Sequence, residues 1–266
     1  MRFYLGTHHP NWLATDEDLF VSRRRLFERK TLPRAKGAWA LDSGGFTELN
    51  LFGAWRTTED EYVADVERFR DEIGGLDWVA PMDWMCEPFM LARTGLTLAE
   101  HQRRTVENFL RLRARLGDLV IPVLQGWDLI DYHDCVSMYE AAGIELESEP
   151  LVGIGSVCRR QDTSEAERIF RSLEGMQMHG FGIKVAGLGA FGDVLASSDS
   201  MAWSFEARRL RRRHDRQDSL FDWPKVMPCG LTHPYEHRAI SCANCLGWAR
   251  AWREKIVSNR LEEVAA

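Results

Sequence analysis

The chain of 266 residues is 45% hydrophobic and 28% charged, with a net charge of -6 at pH 7. Its length is that of two small domains or of one α/β barrel of about 250 residues. It has no uncharged apolar run of about 18 residues, which predicts no membrane-spanning helix, and its negative charge argues against nonspecific coating of nucleic acid. The polar N-terminal segment is unlike a signal peptide, so we expect a cytoplasmic protein.

Short apolar segments alternate with longer amphipathic ones along the chain. Strands are predicted at residues 2–7, 38–44, 77–83, 119–125, 151–157, 180–186 and 200–203. Helices are predicted at residues 58–71, 98–116, 131–142 and 164–173, where apolar positions recur at three- and four-residue spacing. Strands separated by helices indicate βαβ units and a parallel sheet. This succession favours an α/β fold of the (β/α)8 TIM-like barrel type over an open doubly wound sheet.

Polar residues lie at the ends of the predicted strands. These residues are Asp42, Asp83, Gln125, Gly155 and Asp199. In a barrel the carboxyl ends of the strands converge on one mouth, where barrel enzymes carry their active sites. The sequence therefore predicts a site with several carboxylates at that mouth.

One strand end carries a distinctive motif. Residues 42–46 read Asp-Ser-Gly-Gly-Phe and follow an apolar segment. The two glycines leave room for a flat ligand to lie against the backbone. Asp42 supplies a carboxylate beside it, and Phe46 supplies a ring for stacking. An ordinary strand followed by a glycine turn is the alternative.

A cluster of metal-ligating residue types lies near the C-terminus. It consists of Cys229, His233, His237, Cys242 and Cys245. A Cys-x2-Cys pair with a further Cys and a His nearby is typical of a structural, four-coordinate Zn²⁺ site. We predict a zinc-stapled segment over residues 218–266 that ends in a helix and packs on a catalytic barrel domain over residues 1–217. Either histidine can complete the ligand set, with a slight preference for His237, and buried cysteines without metal are the alternative.

A basic run precedes this segment. Its arginines are Arg208, Arg209, Arg211, Arg212 and Arg213. A helix with this run would present cations on nearly every side, which suits a phosphate backbone. A solvated helix paired with nearby acids is an equally good interpretation.

The order of the motifs resembles the tRNA-guanine transglycosylase superfamily. The motifs start at residues 42–46 and continue with Met82-Asp83-Trp84, Val123-Leu124-Gln125-Gly126, Gly153-Ile154-Gly155-Ser156 and Ser198-Asp199-Ser200. Members are zinc-containing (β/α)8 barrels that exchange a guanine base for a 7-deazaguanine. The spacing of the Cys/His cluster departs from the superfamily pattern of three close cysteines and a distant histidine.

The resemblance implies a role for each strand-end residue. Asp199 would be the nucleophile, Asp42 the general acid/base, and Phe46 the ring that stacks on the base. The residues implied to bind the base are Asp83, Gln125, Gly126 and Gly155. The chemistry fits, because one carboxylate can accept both donors of a guanine edge, and exchange with retention needs a carboxylate to hold the sugar between two steps. A helix N-cap is the alternative role for Asp199, and Asp193 is the competing nucleophile.

The short length and the Trp203-Ser204 dipeptide, where Pro-Thr is usual, resemble one branch of the superfamily. This branch comprises the 7-deazapurine DNA modification transglycosylases of phages and bacterial genomic islands. The resemblance implies DNA as the polymer and a free 7-deazaguanine, such as 7-cyano-7-deazaguanine (preQ0), as the incoming base, in a bacterial or phage-infected cytoplasm. A tRNA-guanine transglycosylase of the queuosine or archaeosine type is the nearer alternative. A non-catalytic zinc protein that binds nucleic acid or a purine is the more distant one, and homodimer formation is left open.

Overall fold

The computed structural model describes residues 1–158, 163–217 and 242–264. The chain divides into two compact units, Met1–Asp199 and Ser200–Ala266. The helix over residues 202–217 lies in the second unit. The predicted division into a catalytic domain over residues 1–217 and a zinc-stapled segment over residues 218–266 stays a prediction.

Eight strands form one curled sheet with helices around it. They are β1 (Arg2–Thr7), β2 (Leu19–Ser22), β3 (Trp39–Asp42), β4 (Leu76–Val79), β5 (Val123–Leu124), β6 (Val152–Ile154), β7 (Met178–Gly180) and β8 (Leu195–Ser200). Their order is β4-β3-β2-β1-β8-β7-β6-β5, and the described registers are parallel. A parallel bridge between Val79 and Val120 links the two edges of this half-barrel. The predicted α/β class with a parallel sheet is confirmed, and the predicted (β/α)8 barrel is here a curled half-barrel of eight strands.

Helices connect the strands and cover the sheet. The described α-helices are α1 (Gly45–Phe52), α2 (Glu59–Glu72), α3 (Pro88–Thr94), α4 (Leu98–Leu116), α5 (Leu129–Ala141), α6 (Thr163–Ser172), α7 (Val185–Phe191), α8 (Ala202–Gln217) and α9 (Leu246–Val264). Short 3₁₀ helices lie at Pro10–Ala14, Arg23–Arg25, Gly117–Leu119, Leu146–Ser148, Gly192–Val194 and Cys242–Asn244. No helix of the described ranges has the length and apolar character that crossing a membrane requires.

Local sequence explains where the longer helices start. Thr58 and Glu61 form a capping box at α2, in which each side chain bonds the other's backbone N–H. Thr97 caps α4 by accepting from the Glu100 N–H at 3.2 Å. A cluster of buried side chains packs inside the curled sheet. Its members are Tyr4, Ala40, Trp78, Ala80, Ile121 and Val123. This packed interior leaves the carboxyl ends of the strands as the place for polar groups.

Two predicted strands are wrong. Residues 180–186 contain a turn, with Gly182 at φ 59°, and the start of α7. Residues 200–203 contain the last residue of β8 and the start of α8. Strand β2 lies where no element was predicted. The predicted elements at 2–7 and 98–116, by contrast, coincide with β1 and α4.

The second unit contains α8 and α9. The Trp248 indole N–H donates to the Trp203 carbonyl at 2.8 Å, and that of Trp252 donates to Glu206 at 2.7 Å. The Ser204 hydroxyl donates to the Ala243 carbonyl at 2.8 Å. Helix α9 occupies the place of the predicted C-terminal helix.

Candidate active site

The Asp-Ser-Gly-Gly-Phe motif forms the turn from β3 into α1. Gly44 adopts a left-handed conformation with φ 82°, which glycine tolerates best. A Cβ on Gly45 would lie 2.8 Å from both the Met85 methyl group and the Trp55 ring. Both glycines are therefore required by backbone conformation and by packing, and together they hold Asp42 at the mouth of the sheet.

Asp42 is the last residue of β3 and is half-buried. Its carboxylate accepts hydrogen bonds from the Ser22 hydroxyl and the Gly44 N–H. Burial raises the pKa of Asp42, and the nearby charge of Asp199 raises it further. The electrostatic coupling shows that the structure brings these two predicted site residues together.

Asp83 follows β4 and is buried. Its Oδ1 accepts from the Ser43 hydroxyl at 3.0 Å, and its Oδ2 accepts from the Gln125 side-chain amide at 2.7 Å. Burial, with a further contribution from the charge of Asp42, raises the pKa of Asp83 to about 7. A third predicted residue therefore shares the mouth with Asp42, and it is partly protonated at neutral pH.

The Gln125 side chain is fixed in one orientation. It is fully buried just after β5, and its Oε1 accepts from the Ser156 hydroxyl at 2.7 Å while its Nε2 donates to Asp83. Ser156 also accepts from the Cys86 N–H at 2.8 Å and contacts the buried Glu87 carboxylate at 3.1 Å. Ser156 has φ 55°, a rare conformation for a residue with a side chain. This strained residue follows β6 and directs its hydroxyl at the amide.

The two predicted base-binding glycines allow close packing. A Cβ on Gly155 would lie 2.3 Å from the Gln125 amide nitrogen, and one on Gly126 would lie 2.9 Å from the Tyr132 ring. The Gly155 N–H donates to the Leu124 carbonyl at 2.9 Å. The resemblance implies that Gly155 binds the base, whereas here the sheet engages its N–H and the missing side chain makes room for Gln125.

Asp199 lies near the carboxyl end of β8 and is buried. Its Oδ1 accepts from the Gly182 N–H at 2.8 Å. Asp199 is therefore a strand residue, not the N-cap of the following helix. Asp193, the competing nucleophile, lies before β8 at the opposite end and pairs with Arg171 at 3.2 Å. The structure places Asp199, and not Asp193, with the other carboxylates.

Phe46 lies in the first turn of α1 and is half-buried. It packs against Leu49, Trp84 and Met90, and its ring centroid is 6.1 Å from that of Phe89. Its stacking on a base stays a prediction.

The structure describes only part of the predicted metal-ligand and arginine groups. Cys229, His233 and His237 lie outside them, while Cys242 and Cys245 are buried on one turn, where the Cys245 N–H donates to the Cys242 carbonyl at 3.2 Å. The residues that the structure describes include no group of three candidate metal ligands. All five arginines lie within α8, but side chains are described only for Arg208 and Arg209, which are exposed.

Sequence reasoning missed several residues that hold the site together. Ser22 donates to Asp42, Ser156 donates to the Gln125 amide oxygen, and Glu87 contacts the Ser156 hydroxyl. His179 lies fully buried beside Asp199. Ser22 ends a four-residue apolar strand and Ser156 follows a glycine at a strand end. A position at the end of a strand is the only sequence signal that either serine offers, and it is a weak one.

Three carboxylates at one mouth, one of them hydrogen-bonded to a fixed amide, can accept donors from a planar base and can supply a nucleophile and an acid.

Among curated proteins no relative matches the chain. Similar solved structures include two of one Rhizobium etli pyruvate carboxylase variant, without and with acetyl coenzyme A, at 12% identity and TM-scores of 0.36 and 0.37, over 97% and 99% of this chain. A third, the carboxyl transferase domain of that enzyme with pyruvate, has 11% identity and a TM-score of 0.35 over 99% of the chain. The chain spans 28%, 25% and 48% of those three chains.

The family described as DpdA, DeoxyPurine in DNA protein A, matches residues 1–218. That range includes every strand of the sheet and every strand-end residue of the mouth. The chain therefore belongs to the DpdA family of tRNA-guanine transglycosylase-like enzymes, which modify DNA with 7-deazaguanine.

Proposed function

We propose that the chain exchanges guanine in DNA for a free 7-deazaguanine base, such as 7-cyano-7-deazaguanine, through a covalent aspartyl-nucleotide intermediate. The observation that supports this reaction most directly is the coupling of Asp42, Asp83 and Asp199 at the mouth of the sheet. A transglycosylase needs a nucleophile, a proton carrier and a base-recognition group in one place. Three carboxylates in different surroundings meet this need.

The proposed reaction has two steps. An Asp199 oxygen bonds to C1′ of the target nucleotide as the bond from C1′ to the guanine nitrogen breaks, and the departing guanine takes the bonding electrons and a proton from Asp42. Asp42 then removes a proton from the incoming 7-deazaguanine, whose nitrogen bonds to C1′ and displaces the Asp199 carboxylate. Two displacements at C1′ retain its configuration.

The coupling between the two aspartates suits this change of role. The negative charge of Asp199 raises the pKa of Asp42 in the free enzyme, which favours the acid that protonates guanine. Once Asp199 is esterified it has no charge, so this contribution to the pKa of Asp42 is lost. Asp42 then becomes a better base at the step that requires one.

Asp83 and Gln125 would recognise the base. The Asp83 carboxylate faces buried donors already, and each carboxylate oxygen keeps a second lone pair. The N–H and NH2 groups of a guanine edge can occupy these acceptor sites in a bidentate pair.

We also propose a structural Zn²⁺ held by Cys229, Cys242, Cys245 and one of His233 and His237. Supporting this, Cys242 and Cys245 are buried three residues apart on one turn, a spacing common to zinc-binding Cys-x2-Cys pairs. A complete set of four protein ligands would leave the ion outside the reaction. Metal analysis of purified protein should give about one zinc per chain, and a Cys242→Ser, Cys245→Ser variant should lose it.

The exposed Arg208 and Arg209 would contact the phosphate backbone. Replacing both with glutamine should weaken DNA binding and flatten its salt dependence while leaving binding of the free base unchanged. DNA binding equal to that of wild type across a salt series would instead assign this part of α8 to an ordinary solvated surface.

The decisive experiment supplies radiolabelled 7-cyano-7-deazaguanine together with duplex DNA or tRNA and counts the label in each polymer. We expect label in DNA, an adduct of protein and DNA on denaturing gels, and neither with Asp199→Asn. Asp193→Asn is the matched control and should behave as wild type. Label in tRNA alone would favour the queuosine or archaeosine type of enzyme, and DNA binding without exchange would favour a binding protein.

A further inference from the structure

A buried histidine lies beneath the proposed nucleophile. His179 is in the middle of β7, pairs in register with Ser197 of β8, and has no solvent-exposed surface. Aromatic rings surround it, with centroids at 4.6 Å for Trp78, 4.7 Å for Phe181 and 5.8 Å for Phe20. A polar ring in such apolar surroundings calls for an explanation.

Two polar groups face the imidazole. Its Nδ1 lies 2.8 Å from the Ser197 hydroxyl, and its Nε2 lies 3.4 Å from Asp199 Oδ1. Titratable side chains near the ring include Asp199 and Tyr4, whose ring centroid is 6.1 Å from that of His179. Burial lowers the pKa of His179, which favours the neutral ring.

The surroundings fix which nitrogen carries the proton. A neutral imidazole has one N–H and one acceptor nitrogen. If Nδ1 carried the proton, the Nε2 lone pair would face the Asp199 carboxylate, which is repulsive. With the proton on Nε2, the Ser197 hydroxyl donates to Nδ1. The buried Nε2 lies 3.4 Å from Asp199 Oδ1 and forms no hydrogen bond among the described residues. A small shift of either side chain when substrate binds would complete a hydrogen bond here, because catalytic hydrogen bonds often form fully only in the complex.

We propose that His179 is a positioning residue for Asp199. Its Nε2–H and the Gly182 N–H would hold the same oxygen, Oδ1, from two directions, which leaves Oδ2 free to bond with C1′. This inference rests on the proposed role of Asp199 as nucleophile. It adds a residue that fixes which carboxylate oxygen attacks and in which direction.

The test compares two substitutions in the full-length chain. His179→Gln can keep an N–H donor near the place of Nε2, whereas His179→Phe keeps a ring and removes the donor. For His179→Phe we expect kcat and the rate of adduct formation to fall about 10- to 100-fold, the range for a hydrogen bond to a charged group, with KM for DNA and for the base within about 3-fold of wild type. His179→Gln should recover most of the loss. Rates are normalised to folded protein, and Asp199→Asn is run in parallel.

Three outcomes would overturn the proposal: an unchanged kcat in His179→Phe, equal losses in both variants, or KM values that change as much as kcat. If these occur while Asp199→Asn is inactive, the role of His179 fails alone. Exchange by Asp199→Asn would refute the nucleophile, and with it both proposals.

Nitrogen-15 NMR of the histidine rings tests the contact without any turnover. We expect a neutral His179 protonated on Nε2, with a resonance that moves in Asp199→Asn. Protonation on Nδ1 would overturn the inference whether or not the chain exchanges bases.

Discussion

Asp83→Asn tests whether the carboxylate at the mouth destabilises the folded chain. Burial and the charge of Asp42 raise the pKa of Asp83 from 3.8 to about 7. The folded protein therefore binds a proton at this site at pH values where the unfolded chain has released it. Asparagine has nearly the same shape and does not ionise, so it removes this difference.

The sign and size of the effect follow from linkage. For a group whose folded pKa is raised, stability falls as pH rises from the unfolded pKa toward the folded one and levels off above it. A pKa raised from 3.8 to about 7 corresponds to about 4 kcal/mol in total. Of this, about 2.5 kcal/mol should develop between pH 5 and pH 8. The free energy of unfolding of Asp83→Asn should therefore rise relative to wild type by that amount over this interval.

Urea unfolding of both proteins at several pH values measures the difference. Asparagine also alters the hydrogen bonds to Ser43 and Gln125, which changes the free energy of unfolding by the same amount at every pH. This change cancels, because only the variation of the difference with pH is compared. Asp193→Asn is a suitable control, since that aspartate is exposed and paired with Arg171, and its difference from wild type should change little over the same range. A difference between Asp83→Asn and wild type that is flat from pH 5 to pH 8 would refute the reasoning.

Three further outcomes follow from the same contacts. Because a guanine edge pairs with the ionised form of Asp83, KM for the free base should rise by up to tenfold per pH unit below pH 7, as a steady-state pH series will show. Asp199→Asn should lower exchange by at least about 10³-fold, the scale of removing a catalytic nucleophile, with DNA binding by fluorescence anisotropy unchanged. Gly155→Ala places a methyl group 2.3 Å from the Gln125 amide nitrogen. It should lower the free energy of unfolding by about 1–3 kcal/mol and weaken base binding. The control Gly143→Ala, whose added methyl group meets nothing within 4 Å, should not affect base binding.

The sequence predicted the elements whose signals are local. Helix α4 has a Thr cap and an apolar face repeated over nineteen residues, and β1 is a six-residue apolar strand. Strand β7 has three residues and contains a histidine, and its place is decided by pairing with β6 and β8. The apolar residues after it, from Phe181 onward, look like a strand but turn at Gly182 into α7. Pairing between distant segments outweighed local pattern there.

The sequence predicted the carboxylates of the candidate site but not the residues that hydrogen-bond to them. Asp42, Asp83 and Asp199 stand at strand ends, and barrel geometry alone brings strand ends together. Groups that fix them come from elsewhere in the chain: the Ser22 hydroxyl donates to Asp42, and the Gly182 N–H donates to Asp199. No local pattern encodes such contacts, because they depend on the order of the strands in the sheet.

The raised pKa values of the carboxylates at the mouth relate the stability of the empty protein to the proposed reaction. Asp42 and Asp83 have pKa values raised by burial and by neighbouring negative charge, so their ionised forms destabilise the empty protein. A core without them would be more stable, which is the usual relation between stability and an active site. A ligand that brings N–H donors to Asp83, and an ester that removes the charge of Asp199, both relieve this repulsion. The interactions that are unfavourable in the empty site thus become favourable in the proposed complex and intermediate, as a site built for chemistry on a base requires.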